Sequence, residues 1–150
     1  MDKKLRDQLS KIKLLICDID GVLTDGSFIK STSGDELRSF NALDGVGFVT
    51  LRLLNLNIKT AWITGRESLT TTQRAEELQI DDVYNGVIRK IDAYDELKKK
   101  YGVLDNEVCF IGDDIIDIPI LEKVGFAVTV PNAPKYISCL LYTSDAADDA

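Results

Sequence analysis

The chain has 150 residues, 45% of them hydrophobic, and a formal net charge of −7 with no histidine. That length and apolar content allow one compact core without disulfide or metal staples, and the acidic balance argues against a nucleic-acid partner, which would call for a basic patch. Three of the acids, Asp145, Asp148 and Asp149, cluster in the last six residues, so an anionic ligand would meet positive charge only where single Lys or Arg residues, or a metal ion, supply it.

Taken in order, the chain alternates strand-like and helix-like segments. Met1 to Lys13 places basic residues before an apolar run, but that run is too short for a secretory signal, and nothing else approaches a membrane span; the expectation is a cytoplasmic protein. Ile12–Cys17 reads as a buried strand. Ser27–Lys30 and Glu36–Phe40 read as a hairpin joined by the turn formers of residues 31–35. A helix from about Val46 to Leu56, a strand over Ile58–Ile63 and a helix over Ser68–Leu78 follow. Val83–Tyr84 is a short strand, and Asp92–Tyr101 a helix stopped by Gly102. Val108–Ile111, Ile118–Val124 and Phe126–Val130 complete the series as strand, helix and strand. Such alternation predicts an α/β fold with a doubly wound parallel sheet.

Cysteine use points to a reducing compartment. Three cysteines without a C-x-x-C make neither a disulfide framework nor a zinc site, and Cys17 and Cys109 read as small buried hydrophobes. A cysteine-nucleophile phosphatase needs an arginine six residues after its cysteine; those positions hold Leu23, Ile115 and Asp145.

Four strand ends carry candidate chemistry, where open α/β sheets bind ligands. Asp18 and Asp20 flank Ile19 and precede Gly21, so both carboxylates can face one pocket; they suit a hard cation such as Mg2+ and leave an oxygen free for nucleophilic attack. A calcium loop is disfavoured by Val22 at its fifth position. Thr64, in Ile63-Thr64-Gly65-Arg66, is placed either to contact a phosphate oxygen or to cap the following helix. Lys90 is either a solvated surface lysine or a counter-charge for phosphate and carboxylate. In Gly112-Asp113-Asp114-Ile115-Ile116-Asp117, three crowded carboxylates need a cation or hydrogen bonds to coexist. Asp113 is the candidate direct ligand and Asp114 and Asp117 the supporting acids, with Asp117 equally suited to cap a helix at Ile118-Pro119. Gly45-x-Gly47 does not extend to a dinucleotide fingerprint, because position 50 is threonine.

In this order the motifs resemble the haloacid dehalogenase-like phosphohydrolase superfamily. From Lys13 to about Ile137 the chain is similar, more narrowly, to the 3-deoxy-D-manno-octulosonate 8-phosphate phosphatases, through residues 18–26, Phe40-Asn-Ala-Leu-Asp-Gly-Val-Gly47, residues 63–66 and residues 112–117. The resemblance implies a Rossmann-like sheet with a small β-hairpin and no separate cap domain. It implies that Asp18 attacks phosphorus to give an aspartyl-phosphate and that Asp20 protonates the leaving alkoxide, then activates water. Mg2+ would be held by the Asp18 carboxylate, the Asp20 backbone carbonyl and Asp113; Thr64 and Lys90 would bind the phosphoryl group. Asp44, Gly45 and Arg66 would contact the sugar acid, the other reading of Asp44-Gly45 being a helix entrance. It further implies lipopolysaccharide biosynthesis and a homotetramer whose hairpins let a neighbouring subunit close each site.

One departure and two competing readings bear on the expectation. Family members continue past Pro131-Asn132-Ala133 with a helix and a glycine-rich, arginine-bearing tail, whereas this chain has residues 138–150, read as an atypical tail, either non-native or disordered, beyond a phosphatase domain of residues 1–137. A nine-carbon sialic-acid-type 9-phosphate is the competing substrate, and an idle regulatory or oligomerisation domain of the same fold is the competing class.

Overall fold

The computed structural model describes residues 3–148, and the side chains of residues up to 141. Among the described residues there are seven strands: β1 (Leu14–Cys17), β2 (Ile29–Lys30), β3 (Glu36–Leu37), β4 (Lys59–Ile63), β5 (Asp82–Tyr84), β6 (Val108–Ile111) and β7 (Phe126–Val128). The helices are α1 (Lys3–Leu9), α2 (Ala42–Leu53), α3 (Leu69–Leu78), α4 (Lys90–Tyr101), α5 (Ile118–Leu121) and α6 (Lys135–Asp148).

The sheet follows from the apolar runs. β1 sits at its centre, pairing in parallel with β4 (Leu14 opposite Lys59, Cys17 opposite Trp62) and with β6 (Leu14 opposite Val108, Cys17 opposite Ile111). β5 and β7 flank these in parallel, giving the order β5-β4-β1-β6-β7. Side chains alternate between the faces of a strand, and each face meets its own core. Leu14, Ile16, Ala61, Ile63, Val108 and Phe110 pack with Tyr94 and Leu97 of α4, Ile120 of α5 and Ile137 of α6. Cys17 and Trp62 pack on the opposite face with Phe48 of α2 and Ala75 and Leu78 of α3. Trp62 lies against Phe40, stacked at 6.4 Å, and Phe48, edge-on at 5.7 Å. Full burial of such side chains stabilises by about 1.5–3 kcal/mol each, so both faces are anchored at the central strands. The expected doubly wound parallel sheet is what forms.

Several boundaries differ from the sequence reading, for local reasons. α2 begins at Ala42 rather than Val46 because the Asn41 side chain accepts the Leu43 N–H at 2.9 Å; Gly45 lies inside the helix. The same helix ends at Leu53, and Asn55 and Asn57 turn the chain at φ 50° and 51°. α4 begins at Lys90, which brings that lysine into its first turn, and ends where Gly102 adopts φ +63°. The small hairpin is antiparallel, Ile29 opposite Leu37, in a sheet of its own. α1 was not anticipated and buries no residue. α6 crosses the expected boundary at residue 138 and seats Ile137 in the core; Asp149 and Ala150 lie outside the described residues. No helix among the described residues is long and apolar enough to cross a membrane.

Candidate active site

The two central strands end side by side and deliver the acids. The Asp18 N–H donates to the Ile111 carbonyl at 2.9 Å, so the chain leaves β1 still tied to β6. It then turns tightly, the Ile19 carbonyl accepting the N–H of Val22, Leu23 and Thr24. The Thr24 hydroxyl closes this loop by accepting the N–H of Gly21 at 3.3 Å and of Gly26 at 3.2 Å. Gly21 sits at φ +91°, and a Cβ there would lie 2.0 Å from Asp113 Oδ2. Glycine is therefore required twice, for the turn and for the close approach of the second acidic loop.

Buried among these loops is a lysine shared by two carboxylates. Lys90 Nζ lies 2.7 Å from Asp18 Oδ1 and 2.7 Å from Asp117 Oδ1, with Lys90 1% and Asp18 4% exposed. Lysine is almost never buried unless paired, so the solvated reading of Lys90 is excluded. Burial pushes the Asp18 carboxyl up to about 7; Lys90 opposes the rise and Asp117 adds to it. Burial alone would lower Lys90, but Asp18 and Asp117 outweigh it and hold the ammonium above its ordinary value. Asp113 is raised by burial and then by Asp117 and Asp114.

Asp117 is used up by these contacts. Its Oδ1 takes Lys90, and its Oδ2 accepts the N–H of Asp113 at 3.0 Å and of Asp114 at 3.1 Å. It makes no side-chain cap to α5, so the helix-capping alternative gives way to support of the loop above it. Asp114 turns outward, accepting from Ile115 N–H at 2.6 Å and from the Tyr136 hydroxyl at 2.8 Å. The acidic oxygens of Asp18, Asp113 and Asp117 lie within 4.8 Å of one another. Because Asp117 is spent, Asp18 and Asp113 are the carboxylates left to face a cation, and the buried Asp113 Oδ1 has no hydrogen-bond partner. Three carboxylates around one ammonium leave an excess of negative charge, and an all-oxygen donor set fits a hard divalent ion.

Asp20 faces a second set of partners. Thr64, fully buried at the end of β4, directs its hydroxyl to Asp20 Oδ2 at 3.3 Å and receives the Arg66 N–H at 3.2 Å. On the other side Arg38 Nη1 stands 3.4 Å from Asp20 Oδ1. Arg66 lies over the Phe28 ring at 3.9 Å, with Glu36 at 3.7 Å. Arg38, Phe28 and Glu36 all come from the hairpin region and were not singled out in the sequence. Their only signal was the i, i+2 spacing of Glu36 and Arg38, which puts both on one side of an extended segment. Gly45 packs against Arg74 and Leu78 where α2 meets α3 and shares a recess with its neighbour Asp44. Asp44 lines a small recess with Leu23, Phe40 and Trp62.

A family model for haloacid dehalogenase-like hydrolases matches residues 55–142, more than half of the chain. The chain belongs to that family. Within the haloacid dehalogenase-like hydrolases its relatives include 3-deoxy-D-manno-octulosonate 8-phosphate phosphatases. The Salmonella typhi enzyme KdsC is 41% identical over 122 residues, 81% of this chain and 64% of the relative; the chain thus spans less than two thirds of that protein's length. Among solved structures, the phosphatase of that name from Yersinia pestis superposes with a TM-score of 0.84 at 38% identity, covering 89% of this chain and 71% of the other. The one from Moraxella catarrhalis, in complex with magnesium, phosphate and KDO, gives a TM-score of 0.83 at 34% identity, covering 89% and 76%.

Proposed function

We propose that this haloacid dehalogenase-like chain is a Mg2+-dependent phosphomonoesterase acting on a sugar-acid phosphate, with 3-deoxy-D-manno-octulosonate 8-phosphate as its substrate. The observation that carries the reading is the enclosed Asp18, fixed by Lys90 at 2.7 Å two residues before an Asp20 that faces Thr64. One carboxylate is buried and immobilised for attack, and the next lies beside it for proton transfer.

The chemistry runs on this chain's own groups. An Asp18 oxygen forms a bond to phosphorus while the ester P–O bond breaks, and protonated Asp20 gives its proton to the departing alkoxide. Asp20, now a carboxylate, takes a proton from water; the oxygen of that water bonds to phosphorus, the bond to Asp18 breaks, and inorganic phosphate leaves. Lys90 and Thr64 hold the transferring phosphoryl group, the first by charge and the second by its hydroxyl. Asp18, the Asp20 carbonyl and Asp113 are the groups that would hold Mg2+, which neutralises charge so that one anion can approach another. Arg66, Asp44 and Gly45 are the residues toward the sugar acid, and a neighbouring subunit closes the site over it. Residues 1–137 form the catalytic domain and 138–150 the segment that departs from the relatives; the protein works as a homotetramer in the cytoplasm, in keeping with its free cysteines.

Phosphate release tests the reading. The full chain is given the eight-carbon 8-phosphate and nine-carbon 9-phosphates, with Mg2+ or chelator, beside Asp18→Asn. Chelator-sensitive release from the eight-carbon ester, lost in Asp18→Asn, is expected. Release only from the nine-carbon esters would overturn the substrate, and no release from any ester by the folded protein would overturn the activity.

A further inference from the structure

A hairpin with strands of two residues has little reason to bury a guanidinium, yet the Arg38 side chain is 0% exposed. Enclosing an unpaired cation costs several kcal/mol, so its partners decide why it is there. Nε bonds Glu36 Oε1 at 3.2 Å, and Nη1 donates to Thr71 Oγ1 of α3 at 2.9 Å. That same Nη1 stands 3.4 Å from Asp20 Oδ1, and Nη2 has no partner. Thr71 is itself fully buried, so Arg38 is held from behind by the hairpin and α3 while one edge of its fork faces Asp20.

Asp20 is therefore gripped on two oxygens from two directions. Thr64 reaches Oδ2 from the end of β4, and Arg38 reaches Oδ1 from the hairpin. The 3.4 Å separation is that of an ion pair rather than a hydrogen bond, and Oδ1 accepts no hydrogen bond. A carboxylate so placed keeps its orientation while remaining free to exchange a proton. We propose that Arg38 is a positioning residue for Asp20: it fixes the direction in which that carboxylate faces the leaving oxygen and then the attacking water, without itself touching the reacting atoms. The proposal rests on the phosphatase reading for its kinetic consequence, but the Arg38–Asp20 contact stands apart from it.

The test is a double-mutant cycle on the full chain with Arg38→Met, Asp20→Asn and both together, folding being checked by thermal melting. Misplacing a catalytic group by about 1 Å can cost about 10²-fold, so Arg38→Met is expected to lower kcat by about 10- to 100-fold with KM nearly unchanged. In the Asp20→Asn background the same substitution should change kcat by no more than about twofold, since residues acting as a unit are non-additive. Arg38→Lys, which restores a cation but not the fork, should recover part of the loss. Equal losses in both backgrounds would overturn the proposal, as would a raised KM with unchanged kcat, which would make Arg38 a substrate ligand. A second readout needs no turnover: the Arg38 side-chain N–H resonances in 15N NMR should move in Asp20→Asn, and if they do not the contact is refuted. Were the wild-type chain to release no phosphate while those resonances respond, the phosphatase reading would fall and the coupling of the two residues would stand.

Discussion

Replacing Lys90 by methionine removes one charge and keeps most of the side chain's length and apolar stem, so packing is nearly preserved. What is lost is the ammonium 2.7 Å from both Asp18 and Asp117. Breaking a buried pair by deleting one partner destabilises by about 3–5 kcal/mol, because a buried charge is left uncompensated. Burial already holds the native Asp18 carboxyl up at about 7, so near pH 8 the variant leaves an ionised Asp18 without its counter-charge, whereas near pH 5 Asp18 already carries its proton and less charge is left unpaired. The full penalty of about 3–5 kcal/mol therefore applies near pH 8 and a smaller one near pH 5. For a domain of this size each kcal/mol shifts Tm by about 2–4 °C, which gives a fall of about 6–20 °C near pH 8 and a smaller fall near pH 5. Calorimetry with chelator present reads both values. A Tm unchanged at both pH values, or a larger fall under the acidic condition, would refute the assignment of Lys90 as the charge holding this site together.

The remaining expectations concern the same loops. The folded Asp18 value lies above its unfolded one, so the native state binds more protons between about pH 4 and pH 7 and the metal-free protein loses stability as pH rises through that window; Mg2+ should therefore raise Tm more near pH 8 than near pH 5 in a melting series. Asp18→Asn removes a buried charge from a site with excess negative charge, so it should abolish phosphate release while stabilising the metal-free protein by about 0.5–2 kcal/mol in denaturant titrations. Gly21→Ala forces a side chain into φ +91° and against Asp113 Oδ2; a loss of about 1–3 kcal/mol is expected, together with weaker Mg2+ binding by titration calorimetry.

Much of the site was legible before any coordinate, because its acids close apolar strands. A strand that must be buried fixes where its chain emerges, and Asp18, Thr64 and Asp113 each follow one; parallel pairing then brings those ends to one edge of the sheet. The glycine at position 21 was legible for the same reason, as the turn that Asp18 and Asp20 require. The sequence thus determined the fold class and the edge at which the acids meet.

Tertiary structure alone decided how the charges are shared. In isolation Lys90 is a surface lysine; packing of α4 under β1 and β6 encloses it between Asp18 and Asp117, and only that enclosure makes its charge indispensable. Asp117 read equally as a helix cap until its second oxygen proved to carry two backbone N–H groups. Arg38 gave still less warning, since a hairpin of two-residue strands has no apolar pattern strong enough to fix where its side chains point. Its burial beside Asp20 depends on α3 supplying Thr71, 33 residues away in the chain. Local pattern determines which segments must leave water; the partners of a charge removed with them depend on contacts between distant segments, which no short-range pattern records.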